Sequence, residues 1–445
     1  MSDKKYWLTS GMYTMMHRGI DFILGFIGFM LLVRIYSPEL FGVWVLLITL
    51  VAIVDMARSG FIQNGMIKFL INQSLENQAK IQMASLWLNV FLTLAFMVLL
   101  WVLAVPLENV LNAPGLADIL RIFTYILPIL VIHTHNLVLM QAKYDFKAYF
   151  LAGISKSLPL FLIIAYYYLN PEKYLSLSAL AWYQNATFLL ATLMSCYQVR
   201  KYLDIKWGWH QEWNLQIFHF GKFVFGTNLI SMLTNSLDKF LLGALLSPVQ
   251  VALANTAGRV MNMIEIPINS IASISYPKAS EAFDKKRLDE VGKIYEKTIG
   301  MMLSLTLPFL LVNLLFAEYI VLFIAGEDYL DAAPFLRVVA FLAVIKPYDR
   351  QSGVFLDAIG KPFFNMIMVF GTFIYGAIFT WILINGIGLL GAAYGLILAV
   401  SLTAIIKQLI LRRFIPIRAL QPFRYAVVNY PELYRVGRQK LFNKG

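Results

Sequence analysis

Apolar residues run in twelve long stretches, separated by short polar intervals. They cover Met12–Val33, Leu40–Met56, Met83–Val105, Ile119–Met140, Tyr149–Leu169 and Ser176–Tyr197. After a polar interval come Phe220–Leu246, Val249–Tyr276, Thr298–Ala325, Ala332–Gln351, Phe363–Leu383 and Leu389–Leu411. A hydrocarbon core about 30 Å thick needs roughly 20 apolar residues per helix, so each stretch predicts a transmembrane helix. The expected fold is an all-α integral membrane protein of about twelve transmembrane helices in two six-helix bundles, at 1–197 and 219–411. A cytoplasmic interfacial linker at 198–218 and a basic cytoplasmic tail at 412–445 complete the plan.

Composition narrows the class. Of 445 residues, 59% are hydrophobic and 14% charged, with a mean hydropathy of +0.68, whereas soluble domains carry roughly 25% charged residues. An ordinary soluble enzyme is excluded. The polar start and the charges Arg18 and Asp21 in the first stretch argue against a removable signal peptide. The single cysteine, Cys196, permits neither a disulfide framework nor a thiolate metal site.

The net charge of +12 is chiefly a topology signal. Lys and Arg crowd alternate connections (Arg58, Lys68 and Lys80; Lys143 and Lys147; Arg200, Lys201 and Lys206; Lys278 to Lys297) and the tail. The opposite connections carry Arg34 and Lys173 but also Glu108, Asp118, Glu318, Glu327, Asp328 and Asp331. By the positive-inside rule both termini are cytoplasmic. With no soluble module to carry it, nucleic-acid binding is not expected. Trp207, Trp209 and Trp213 mark 206–220 as an interfacial stretch, as do the arginines and tyrosines beyond Leu411.

The halves show faint self-similarity. At one constant offset Ser37-Pro38 aligns with Ser247-Pro248, Asp55 with Glu265 and Lys68 with Lys278, and Leu120-Arg121 aligns with Leu336-Arg337 at a slightly larger one. Repeated halves are common in transporters, and an even number of spans per half leaves both in the same orientation.

Candidate chemistry lies in charges inside the apolar stretches, each costing at least about 2.5 kcal/mol at the bilayer centre. Arg18, Lys156, Lys239, Arg259, Lys346 and Arg350 are candidates for a cationic cavity that binds a diphosphate, for which Arg offers a planar fork and Lys a point charge. Asp21, Asp55, Asp238 and Glu265 are candidates for ion coupling or counter-charges. Arg18, Arg58, Lys156 and Arg350 stand near stretch ends, where a long side chain can instead reach the headgroups. Arg259 and Glu265 lie about 240° apart around a helix, so each should find its partner elsewhere. Pro128, Pro159, Pro267, Pro308 and Pro347 interrupt helices at points suited to bending.

Several motifs fail their context. Gly386-Ile-Gly388-Leu-Leu-Gly391 imitates a dinucleotide loop but joins two membrane stretches. His133 and His135 point about 200° apart and cannot share a metal. There is no P-loop, and no cofactor is expected.

Longer segments resemble a known family. "FMLLVRIYSPELFGVWVLLITLVAIVDMARSGFIQNGMIKFL", "LDKFLLGALLSPVQVALANTAGRVMNMIEIPINSIASISYPKASEA" and "GIGLLGAAYGLILA" are similar to the first hairpin, the seventh and eighth helices and the last hairpin of the polysaccharide-transport (oligosaccharide flippase) family. That family shares a superfamily with the multidrug and toxin extrusion (MATE) transporters. One departure is Ala57, two residues after Asp55, where family members often have Gly. The resemblance implies two six-helix bundles around a central cavity in the bacterial cytoplasmic (inner) membrane. It implies a flippase, not an enzyme, that moves a polyprenyl-diphosphate-linked oligosaccharide by alternating access with H+ or Na+ coupling. Its partners would be the lipid-linked oligosaccharide diphosphate, membrane lipids and polysaccharide biosynthesis enzymes. The rival readings are a cation-coupled multidrug exporter and, from another class, a membrane glycosyltransferase or polymerase.

Overall fold

The computed structural model describes residues 3–70, 73–203, 206–428 and 430; Asn72 and the tail beyond 430, with Arg435, Arg438, Lys440 and Lys444, lie outside the described residues. Every regular element among them is helical. In chain order these are α1 (Asp3–Ile35), α2 (Pro38–Leu70), α3 (Leu75–Val110), α4 (Leu116–Thr124), α5 (Leu127–Ala142), α6 (Phe146–Leu169) and α7 (Leu177–Val199). Then follow α8 (Gln211–Leu245), α9 (Pro248–Met261), a 3-10 turn (Asn262–Ile264), α10 (Glu265–Asp284), α11 (Leu288–Ala325), α12 (Ala332–Val339), α13 (Leu342–Ala358), α14 (Pro362–Ile387) and α15 (Leu389–Leu411). Each of the twelve apolar stretches falls, to within a residue at its ends, on one helix or on consecutive ones.

Among the described residues, six helices are long and apolar enough to cross a bilayer unaided: Pro38–Arg58 of α2, and α3, α6, α11, α14 and α15; α4 and α5, bent by 53°, form a further broken span. These helices carry exposed apolar side chains such as Phe91, Val98, Leu315, Phe370 and Leu409. Such a coat would be a liability in water and is what lipid covers. The chain is a multi-pass membrane protein.

Local chemistry sets the helix ends. Ser74 and Ser176 cap α3 and α7, their hydroxyls accepting from the amides of Asn77 and Ala179. Asp145 caps α6 by accepting from the Ala148 amide at 3.1 Å, and its other oxygen accepts from Lys201 at 2.8 Å and Tyr202 at 3.0 Å. Burial alone would raise the Asp145 carboxyl. The bonds from Lys201, Ala148 and Tyr202 outweigh burial and hold it below the ordinary carboxylate range. Gly388, at φ +62°, turns α14 into α15. A side chain on Gly391 would meet the Leu383 carbonyl at 2.1 Å, so the glycines of the false dinucleotide motif serve a tight helical hairpin.

The chain divides into two compact units, residues 1–236 with 247–252, and residues 237–246 with 253–445. In the first, α1 packs on α6, α6 on α7, and α5 on α7 and α3, around buried Met66, Ile81, Leu139, Ala152 and Ile217. In the second, α11, α13 and α15 surround Tyr295, Ile299, Leu303, Phe355 and Leu411. The element order repeats: three long segments, a short helix, then three more, with α4 matched by α12 and the second segment opening at Pro38 or Pro248. Asp55 stands as far along from Pro38 as Glu265 does from Pro248. Arg121 and Arg337 each occupy the last turn of the short helix.

Candidate functional site

Each unit gathers ionisable groups inside its spans, and each is described separately. In the first, Arg58 extends from α2 and is only 1% exposed, whereas Asp55, one turn earlier, is 54% exposed. The guanidinium donates to Asp55 Oδ1 and to Thr134 Oγ1 of α5, both at 2.8 Å, and to Asn89 Oδ1 of α3 at 3.3 Å. One cation thus ties three helices, using donors that would be costly to bury unpaired. Lys156 of α6 and His133 of α5 lie within electrostatic reach of Asp55. The Lys156 ammonium sits 4.6 Å from the Phe188 ring centroid, a cation–π contact. Nearby in sequence to Lys156, Ser157 donates to Asp21 Oδ1 at 2.8 Å, and His17 approaches the same carboxylate at 3.5 Å. The His17 ring lies against Gly153, where a Cβ would come within 2.0 Å of it.

In the second unit, Lys346 of α13 forms an ion pair with Glu265 at the first residue of α10. Glu265 follows the 3-10 turn, and its own amide donates back to the Asn262 carbonyl. Asp238 of α8 lies within electrostatic reach of Lys239 and Lys346. One turn beyond Lys346, Asp349 accepts from Lys407 of α15 at 2.8 Å. Gln351 of α13 donates to Ser275 of α10 and Thr298 of α11, both at 2.7 Å, and Tyr295 shares a hydrogen bond with Ser352 at 2.8 Å. The faces of α13 thus connect α10, α11 and α15 through polar contacts.

Of the predicted residues, Asp55 and Lys156 come together in the first unit, as do Lys346, Glu265 and Asp238 in the second. Arg18 and Arg350 are exposed, and Asp21, Lys239 and Arg259 half-buried. The spacing argument that Glu265 needs a partner other than Arg259 is met by Lys346. Three residues stand apart from the sequence expectation. Arg58, assigned to a connection or to headgroup reach, is buried inside α2. Lys407 lies outside the predicted set, although a lone ammonium within Leu389–Leu411 is itself a signal. His133, set aside as a metal ligand, joins the Asp55 environment.

The family described as "Polysaccharide biosynthesis protein" is matched over residues 31–334. The chain belongs to this family. Among curated proteins it is similar to a probable low-salt glycan biosynthesis flippase, Agl15, of Haloferax volcanii, at 20% identity over 214 residues, 48% of this chain and 44% of that protein. It is also similar to an uncharacterized membrane protein of Methanocaldococcus jannaschii, at 24% identity over 139 residues, 31% of this chain and 27% of the other. The matched region spans less than half the length of either relative. Among solved structures, the inward-facing multidrug resistance MATE family transporter of the MOP superfamily superposes with a TM-score of 0.75 at 16% identity, covering 88% of this chain and 93% of that one. The lipid II flippase MurJ, in an inward closed conformation, gives 0.75 at 13% identity, covering 96% and 92%. At these identities the likeness shows the fold, which is MATE-like.

Proposed function

We propose that the protein is a flippase that translocates a polyprenyl-diphosphate-linked oligosaccharide, a surface polysaccharide precursor, across the cytoplasmic membrane by alternating access, with both termini on the cytoplasmic side. The observation that carries this reading is the family match over residues 31–334. The glycan flippase among the relatives and the fold shared with the lipid II flippase support it. In this reading Arg18 and Lys156 of the first unit, and Lys239, Arg259, Lys346 and Arg350 of the second, attract the diphosphate while the polyprenyl chain stays in lipid. Fixed cations in a low-dielectric setting favour an anionic headgroup over a cationic drug. Asp21, Asp55, Asp238 and Glu265 serve as counter-charges or as the coupling groups for H+ or Na+.

The test uses the purified protein in proteoliposomes carrying a fluorescent polyprenyl-diphosphate oligosaccharide. Protein-dependent exposure of label to an impermeant quencher is the expected result, diminished in Arg259→Ala and Lys239→Ala variants that still insert. Efflux of a cationic dye without movement of the lipid-linked sugar would overturn the reading in favour of a drug exporter. Bond formation or cleavage in the glycan would overturn it in favour of a membrane glycosyltransferase.

A further inference from the structure

The chain does not leave the second unit after α15. Ile415 and Ala426 are buried in the same cluster as Tyr295, Ile299 and Phe355. Two glycines of α11 admit the returning segment: a Cβ on Gly292 would lie 2.0 Å from the Pro416 carbonyl oxygen, and one on Gly300 would lie 2.5 Å from the Tyr425 Cβ. Polar contacts fix the path. The buried Glu296 carboxylate accepts from the Arg418 amide at 2.8 Å, and the Tyr348 hydroxyl donates to the Ala419 carbonyl at 3.0 Å.

Residues 421–428 of this segment are helical, and the helix is apolar on both sides. Pro422 and Ala426, one turn apart, are buried against the protein, with Tyr425 half-buried between them. The opposite side presents Leu420, 78% exposed, Val427, 66% exposed, and also Phe423 and Val428. Helical geometry puts Phe423, Val427 and Val428 on one face, with exposed Arg424 among them and Leu420 in the turn just ahead of the helix. Apolar side chains on both faces of a helix call for a cover on each. The protein covers one, and the adjoining solvent is set by position. The segment starts where α15, a membrane-spanning helix, ends in Arg412 and Arg413, both exposed, as is Arg418. Arginines following a span lie at headgroup depth.

We propose that residues 412–428 are a membrane-surface anchor clamped to α11 and α13, whose outer apolar face enters the headgroup–acyl boundary while Arg412, Arg413, Arg418 and Arg424 bind the phosphates of anionic lipids. An interfacial helix with such a face buries it roughly 5–10 Å into the boundary. Basic residues near an anionic surface each strengthen attachment about fivefold. The anchor is independent of the cargo.

The test uses the full chain with Cys196→Ser, carrying a single spin label at Leu420→Cys or Val427→Cys, in vesicles of phosphatidylcholine with or without phosphatidylglycerol. Val98→Cys calibrates a lipid-facing site and Glu172→Cys a water-facing one. At 420 and 427, oxygen should relax the label more than a water-soluble nickel reagent does, and phosphatidylglycerol should widen the difference. Replacing the four arginines by glutamine should abolish that phosphatidylglycerol effect. Nickel access matching the Glu172 site overturns the proposal, as does a label shielded from both reagents, which means that protein covers the face. An undiminished lipid effect in the glutamine variant overturns the headgroup assignment, as does reproduction of the effect by inorganic phosphate alone.

Discussion

Lys407 and Asp349 make an asymmetric pair, and the asymmetry predicts which partner is harder to lose. Their charged atoms are 2.8 Å apart, with Lys407 only 5% exposed and Asp349 29% exposed. At an effective dielectric of about 20 the attraction is about 6 kcal/mol, offset by several kcal/mol of desolvation for each ion. The pair is therefore worth little relative to two neutral side chains, but either charge alone is costly in proportion to its burial. Asp349→Asn removes the hydrogen-bonded counter-charge of an ammonium with almost no access to water, leaving it the more distant Asp357 carboxylate, and should cost about 3–5 kcal/mol. Lys407→Met leaves a carboxylate that water partly reaches, and should cost about 1–3 kcal/mol. The double variant should return to within about 1–2 kcal/mol of the native protein, since both charges are gone. Chemical unfolding of the three purified variants in one fixed detergent–lipid mixture measures the ranking. If Lys407→Met proves as damaging as Asp349→Asn, or the double variant equals the sum of the singles, the electrostatic account of this pair is wrong.

Other outcomes follow from the same contacts. Arg58→Met removes three hydrogen bonds from a buried cation and should impair translocation severely; Arg58→Lys, which lacks the planar fork, should restore little of it in the proteoliposome assay. Asp145→Ala should cost about 1 kcal/mol at neutral pH through loss of the α6 cap. Because the folded carboxyl titrates below its unfolded value of about 3.9, the difference from the native protein should be complete above that pH. It should disappear as the pH falls through the depressed folded value, read as unfolding midpoints against pH. Gly300→Val places atoms where Tyr425 and the Pro422 carbonyl now lie. It should weaken docking of the C-terminal segment by about 1–3 kcal/mol, seen as faster proteolysis after Leu411.

Apolar length made the helices legible, and what it could not show was where they bend. A run such as Ile119–Met140 has the same composition whether straight or broken near Tyr125, and the 53° bend there depends on packing between helices. The break at Asn262–Ile264 was equally silent. Helices also extend past the apolar stretches: α3 begins at Leu75, ahead of the apolar onset at Met83, where Ser74 caps its polar first turn. For the site, the sequence exposed Asp55, Glu265 and Lys346 as charges too expensive to leave in lipid, but periodicity assigns partners only within one helix. The Glu265–Lys346 pair joins positions 81 residues apart, which needs the fold. Arg58 was misplaced because Asp55, Arg58 and Ser59 mimic the polar end of a span, whereas α2 continues to Leu70.

The two halves share a plan but are wired differently, and this bears on how each can move. In the first, the carboxylate of Asp55 meets its hydrogen-bonded cation on the same helix, so the charge pair travels with α2, and its hydrogen bonds to neighbouring helices go to the neutral Asn89 and Thr134. In the second, the corresponding carboxylate, Glu265, is joined to a different helix through Lys346. Separating α10 from α13 therefore means splitting an ion pair, whereas sliding α2 past α3 and α5 means exchanging a guanidinium's hydrogen bonds to neutral acceptors. After an ancestral duplication such wiring would let one copy become a latch and leave the other a bearing.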